Sequence, residues 1–149
     1  MPEGFEKTGP ESSIDMFEAE ADGLAELRDA GVVRVPEVYD VGVRNGRAYI
    51  LMERLNLEPG NAEHARRFGT QLAELHAVTA RQHGWRRDNN IGPTPQRNPW
   101  TDEWLTFFAE HRLGYQLELA ARNGYVGELE TLGAALAARL PELLEGHAP

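Results

Sequence analysis

The 149-residue chain is 41% hydrophobic and 26% charged, which is enough apolar content to bury a core and too much for a disordered polymer. Its net charge of −9 leaves no basic face beyond short pairs such as Arg66-Arg67 and Arg86-Arg87, which argues against nucleic acid as a partner. There is no cysteine for disulfide, zinc-thiolate or thiol chemistry, no apolar run approaching the roughly 18 residues that cross a bilayer, and no signal-peptide pattern, so the expectation is a cytoplasmic protein without a membrane partner.

Met1 to Thr8 reads as the tail of a strand that lacks its partners, broken by Gly9-Pro10. Ser12, Ser13 and Asp15 are candidate N-caps, and Met16, Phe17, Leu24 and Leu27 recur at helical spacing. With Gly31 as the C′ residue, the pattern predicts a helix over 13–30. After Pro36 the chain is β-rich to Val43, and Asn45-Gly46 is a hairpin signal. The return strand, 48–55, is almost continuously apolar and is expected to be central and buried on both faces. Glu58-Pro59-Gly60-Asn61 breaks the pattern.

Beyond that break the chain turns helical. Ala65, Phe68, Leu72, Leu75 and Thr79 form one stripe of a helix over 62–79, in which Gly69 is expected to mark close helix packing. Residues 81–100 read as a long ordered loop with Trp85, Trp100 and several side-chain amides. Thr101 is the candidate cap of a helix closed by Asn123-Gly124. A last helix, 126–145, follows on Leu129, Leu132, Leu136, Leu140 and Leu143, and Pro141 is expected to end or kink it after Arg139.

Three places carry chemistry. Lys7 is the only lysine, every other basic residue being Arg, so a compact ammonium stands where a planar guanidinium would not serve. A strand lysine followed by a helix with Glu18 and Glu20 in its first turns is how kinase-like folds hold the phosphates of ATP, although acidic residues also suit a helix N-terminus on dipole grounds alone. Met52-Glu53-Arg54-Leu55 joins the central strand to the linker, where adenine stacks in two-lobed kinases, or is an ordinary strand end with a solvated Glu-Arg pair. Asp88-Asn89-Asn90-Ile91-Gly92, with Gln96 and Asn98 between two tryptophans, suits a polyol or sugar, or a self-packed loop. It lacks the spacing of a calcium loop, and His64, His76, His83, His111 and His147 show no metal-ligand spacing.

In order along the chain, Phe5-Glu6-Lys7-Thr8, Met16-Phe17-Glu18-Ala19-Glu20, Val35-Pro36-Glu37-Val38, Leu51-Met52-Glu53 and Leu72-Ala73-Glu74-Leu75-His76 resemble the fructosamine kinase (ketosamine-3-kinase) family. The likeness continues through Gly84-Trp85, Asp88-Asn89-Asn90-Ile91-Gly92, Thr94-Pro95-Gln96, Asn98, Trp104, Phe107-Phe108, Arg112-Leu113 and Gln116. The family is related to the aminoglycoside phosphotransferases and has a protein-kinase-like fold.

The resemblance implies an α+β fold with a partial N-lobe over 1–56 and a helical part of the C-lobe over 57–149. It implies that Lys7 and its helix partner Glu20 hold ATP, and that Met52, Glu53, Arg54 and Leu55 form the adenine hinge. Trp85, Asp88, Asn89, Asn90, Gln96 and Asn98 would meet the substrate, a glycated amine phosphorylated on the sugar 3-hydroxyl. ATP and Mg²⁺ are the implied cofactors.

The family's glycine-rich loop before the lysine, its His-Gly-Asp catalytic loop and its Asp-Pro metal motif do not occur in these residues. The expectation is therefore a catalytically incomplete chain, with no catalytic residue and no Mg²⁺ site of its own. Two rival readings stay open: a phosphotransferase for an aminoglycoside or choline-like substrate, and a non-catalytic remnant that binds or oligomerises, with a homodimer through an exposed strand edge.

Overall fold

The fold, taken from a computed structural model, is described for residues 4–144. It divides into two compact units, one up to Val78 and one from Thr79. No described helix is long and apolar enough to cross a membrane.

The first unit is a three-stranded antiparallel sheet with one helix on it. Strand β1 (Gly4–Pro10) leads through a 3-10 turn (Glu11–Ser13) into helix α1 (Ile14–Asp29), and strands β2 (Val38–Arg44) and β3 (Arg47–Glu53) follow. The order is β1-β3-β2, so β3 is central as its apolar run predicts. The expectation that the first strand lacks partners is corrected: β1 pairs with β3 from Gly4↔Glu53 to Pro10↔Arg47, and Gly9-Pro10 lies inside the strand. Proline is tolerated there because β1 is an edge among the described strands.

The expectation that β3 is buried on both faces is also corrected. Ala48, Ile50 and Met52 are buried, while Tyr49, Leu51 and Glu53 are half-buried. The buried face packs on Phe17 of α1, with Ile14, Met16, Leu24, Val38 and Val41 around it.

The local signals explain the ends of these elements. Asn45 and Gly46 both take positive φ, 54° and 71°, the geometry that a two-residue primed hairpin turn requires. Gly31 at φ +70° closes α1, its N–H donating to the Arg28 carbonyl. Ser13 does occupy the N-cap position of α1, but no side chain makes the cap hydrogen bond. Helix α2 (Ala62–His76) is capped by the Asn61 side chain, which accepts from the N–H groups of Glu63 and His64 at 2.9 Å each. Gly69 has no neighbour within 4 Å of the position a Cβ would take, so it does not mark close packing.

The second unit opens with the segment expected to be a long ordered loop. It contains a short hairpin instead, β4 (Asn89–Ile91) with β5 (Thr94–Gln96), turning on Gly92 at φ +57°. Thr101 is not a helix cap: it pairs with His83 through two backbone hydrogen bonds of 2.8 Å. The helix begins at α3 (Trp104–Phe108), passes through a π-helical segment (Ala109–Gly114) and continues as α4 (Tyr115–Arg122). Gly124, at φ +86°, closes it as expected. Helix α5 (Glu128–Leu143) contains Pro141, so the proline does not end the helix at Arg139. The expected end of that helix at Glu145, the tail from Gly146 to Pro149 and residues 1–3 lie outside the described residues.

Candidate functional site

Sheet register places Lys7. Side chains alternate along a strand, and Phe5, Lys7 and Gly9 lie opposite Met52, Ile50 and Ala48, the buried face covered by α1. Glu20 lies one helical turn beyond the buried Phe17, so the two share a face of α1. Strand and helix therefore bring the ammonium and the carboxylate together, with Lys7 Nζ donating to Glu20 Oε1 at 2.5 Å. Both side chains remain partly open, at 44% and 31% exposure, so the ammonium keeps room for a second anionic partner.

At the end of β3 the side chains face other tasks. Met52 is buried in the core beneath α1. The Glu53 carboxylate accepts from Arg34 Nη2 at 2.5 Å and from the Glu37 N–H at 3.3 Å, and its own N–H donates to the Glu37 carbonyl at 2.7 Å. The Arg34 hydrogen bond, then the Glu37 amide, holds the Glu53 carboxyl below its ordinary pKa. Arg54 is exposed and Leu55 half-buried in the irregular segment that follows.

The second unit builds its site around Asn98, which is 4% exposed. Its Nδ2 donates to the Arg87 carbonyl at 3.1 Å and to Asn89 Oδ1 at 2.9 Å, and its N–H donates to Asp88 Oδ1 at 2.8 Å. Arg112, from the π-helical segment, donates to Asn98 Oδ1 at 2.5 Å and to the Arg97 carbonyl at 2.7 Å, and stacks over Phe107 at 4.4 Å. Burial lowers the Arg112 pKa from its ordinary value.

The amide of Asn98 is thus filled from within, and it joins both arms of the hairpin to the helix. Gly84 permits the close approach at the hairpin's base: at φ +125°, any Cβ would stand 2.4 Å from the Pro99 carbonyl oxygen. Trp85 N–H donates to the Asn98 carbonyl at 3.0 Å across the same base.

Along this hairpin runs an open groove of about 470 Å³, lined among others by Trp85, Asp88, Asn98 and Trp100. Of the residues expected to meet a substrate, Trp85, Asp88 and Asn98 line it; Asn89, Asn90 and Gln96 sit on the two strands instead. Arg86, Arg87, Arg97 and His111 also line the groove and were not among the residues expected to meet a substrate. The recurrence of arginine on both sides of the amide-rich segment was the available signal. Among the described residues no three His, Asp or Glu side chains gather as metal ligands.

A family model for fructosamine kinase matches residues 3–149. The chain belongs to the fructosamine kinase family. A Synechocystis protein named "Probable ketoamine kinase" is 47% identical over 120 residues, covering 80% of this chain and 41% of the relative. The chloroplastic protein-ribulosamine 3-kinase of rice is 37% identical, covering 95% of this chain and 42% of its own length. The crystal structure of a protein named "Putative fructosamine-3-kinase" from Haemophilus somnus superimposes with a TM-score of 0.85 at 30% identity, covering all of this chain and 50% of that one. The chain therefore spans about half the length of the fructosamine kinase relatives it matches. Their fold is kinase-like, and this chain is a mixed α+β part of it.

Proposed function

We propose that this chain is part of an ATP-dependent ketoamine 3-kinase, which transfers the γ-phosphoryl group of ATP to the sugar 3-hydroxyl of a glycated amine. The observation that carries the reading is the Lys7–Glu20 contact of 2.5 Å between a sheet strand and its covering helix, in a chain of the fructosamine kinase family. In this arrangement the glutamate fixes the lysine and the ammonium neutralises phosphate charge. The base would lie against the backbone of residues 53–55 in a partial N-lobe, and the sugar would meet the Trp-lined groove of the C-lobe portion.

Phosphoryl transfer depends on positioning and charge neutralisation, and the His-Gly-Asp and Asp-Pro motifs that supply both are not among these residues. The 149 residues on their own are therefore a binding half without turnover.

Calorimetric titration with ATP tests the nucleotide side. Binding weakened about tenfold or more by Lys7→Met, with secondary structure unchanged, supports the reading, because a charge-assisted contact to phosphate is lost. Equal ATP affinity in both proteins sinks it. Phosphorylation of a ribulosamine or fructosamine by the 149 residues alone would overturn the incomplete-chain part. Sequencing the coding DNA on both sides shows whether a glycine-rich loop and a His-Gly-Asp loop continue the reading frame.

A further inference from the structure

We infer that Arg34 is a positioning residue of the nucleotide site: acting through Glu53, it fixes the linker after β3 in the shape that receives the base. The inference rests on the nucleotide reading above and adds to it a residue that never touches the ligand. The linker, residues 54–61, runs from the end of β3 to the Asn61 cap of α2. It has no regular structure, and every residue in it but Leu55 is exposed. Its shape therefore depends largely on what fixes its two ends.

Both ends are tied to one segment, 32–37, between α1 and β2. The β2–β3 ladder is irregular there, with a register shift between Val38 and Asp40 and Val38↔Met52 as its last pair. Beyond it Glu53 faces Glu37. Two residues paired across an antiparallel ladder can exchange two backbone hydrogen bonds. Here the Glu53 N–H donates to the Glu37 carbonyl at 2.7 Å, but the Glu37 N–H donates to the Glu53 carboxylate, at 3.3 Å. The aim of the strand end thus depends on where that carboxylate is held. Arg34 holds it: Nη2 donates to the other carboxylate oxygen at 2.5 Å, and Nη1 donates to the Val35 carbonyl at 2.5 Å. At the far end of the linker, Gln71 of α2 donates from Nε2 to the Val32 carbonyl at 3.0 Å. Strand end, linker, helix and segment 32–37 close into a ring. Arg28 of α1 pairs with the Glu37 carboxylate at 3.4 Å, so the same segment is tied to the helix that carries Glu20.

The Arg34 side chain is 62% exposed and that of Glu53 28%. Ion pairs this open to water add little to stability. A linker already set in its binding shape spares the cost of ordering it when the ligand arrives, and that gain appears in affinity.

The test uses the 149-residue protein and calorimetric titration with ATP, adenosine and inorganic tripolyphosphate. Adenosine reports the base side alone, and tripolyphosphate the Lys7 side alone. Arg34→Gln should weaken adenosine and ATP about three- to tenfold and leave tripolyphosphate within about twofold. Simple loss of one positive charge would weaken tripolyphosphate as well. Lys7→Met should show the reverse, with tripolyphosphate weakened and adenosine unchanged. Arg34→Lys keeps a cation for Glu53 and should recover part of the adenosine affinity. Glu53→Gln should match Arg34→Gln, and the two changes together should lose no more than either alone, since both break one contact. Circular dichroism checks folding; should Arg34→Gln not fold, Glu53→Gln carries the same expectation.

Unchanged adenosine binding in Arg34→Gln overturns the inference and leaves the nucleotide reading standing. An equal loss for all three ligands makes Arg34 a general support of the fold, and also overturns it. If the unaltered protein binds tripolyphosphate but no adenosine, these residues hold no base, and the inference falls with that part of the reading. Binding of none of the three overturns both.

Discussion

Asn98 is where the hairpin loop keeps or loses its shape. Its side chain donates to two acceptors and accepts from one donor, and that donor is a partly desolvated arginine. Asn98→Ala leaves the Arg87 carbonyl and the Arg112 guanidinium short of a partner, at a cost of about 1–3 kcal/mol. Urea unfolding followed by tryptophan fluorescence measures it, because all three tryptophans lie in this unit. Asn90→Ala, at an exposed strand position, should change stability by no more than about 0.5 kcal/mol. Equal effects would show that the amides of this segment are interchangeable. Glu53 gives a second expectation. Its carboxyl titrates below the usual 4.5 in the folded chain, so its stabilising contribution is complete above that value. It is lost as the pH falls through the depressed pKa. Glu53→Gln should therefore lower the melting temperature at neutral pH and flatten its decline in acid; parallel acid limbs for the two proteins would contradict the Arg34–Glu53 assignment.

Helical glycines separate what a helix needs from what packing needs. Gly69 meets nothing within 4 Å, so Gly69→Ala removes backbone entropy from the unfolded chain and should stabilise by roughly 0.5–1 kcal/mol. Gly114 ends the π-helical segment, and a Cβ there would stand 2.8 Å from the Ala109 carbonyl oxygen, which is backbone and cannot swing away. Gly114→Ala should destabilise by about 1–3 kcal/mol, and paired thermal melts would show the opposite signs. A stabilised Gly114→Ala would mean that the segment is content as an ordinary α-helix. The sequence distinguishes neither case, since both glycines sit in smooth apolar patterns of period 3.6. It does disclose the helices themselves, the Asn45-Gly46 turn and the central place of β3, because each rests on local periodicity or turn chemistry. The β4–β5 hairpin is illegible because strands of Asn-Asn-Ile and Thr-Pro-Gln show no alternation; their pairing is imposed by Asn98, a neighbour in space. Thr101 misleads for the same reason, its backbone being drawn into the pair with His83.

Across the whole chain, the described residues leave more large apolar side chains exposed than they bury. The largest continuous set is on α5, where Leu129, Leu132, Leu136 and Leu143 are each between 43% and 60% exposed. Their spacing of three, four and seven places them on one stripe, the seam by which helices associate. A chain that spans about half the length of its relatives is expected to show such faces, since further residues can cover them. The edge strand β1 offers a second route to association, by main-chain pairing. The helix stripe should dominate, because Lys7 and Glu6 place charge along β1 while the stripe carries none. At neutral pH the net charge of −9 opposes association, and the opposition fades toward the isoelectric point near 5.0 and in salt. Multi-angle light scattering should therefore report masses above the 16.6 kDa monomer that grow with salt. The double change Leu132→Glu and Leu136→Glu should return the chain to the monomer mass, whereas Phe5→Lys on β1 should not. Reversal of that pattern would move the interface to the strand edge, and a strict monomer in every buffer would refute both.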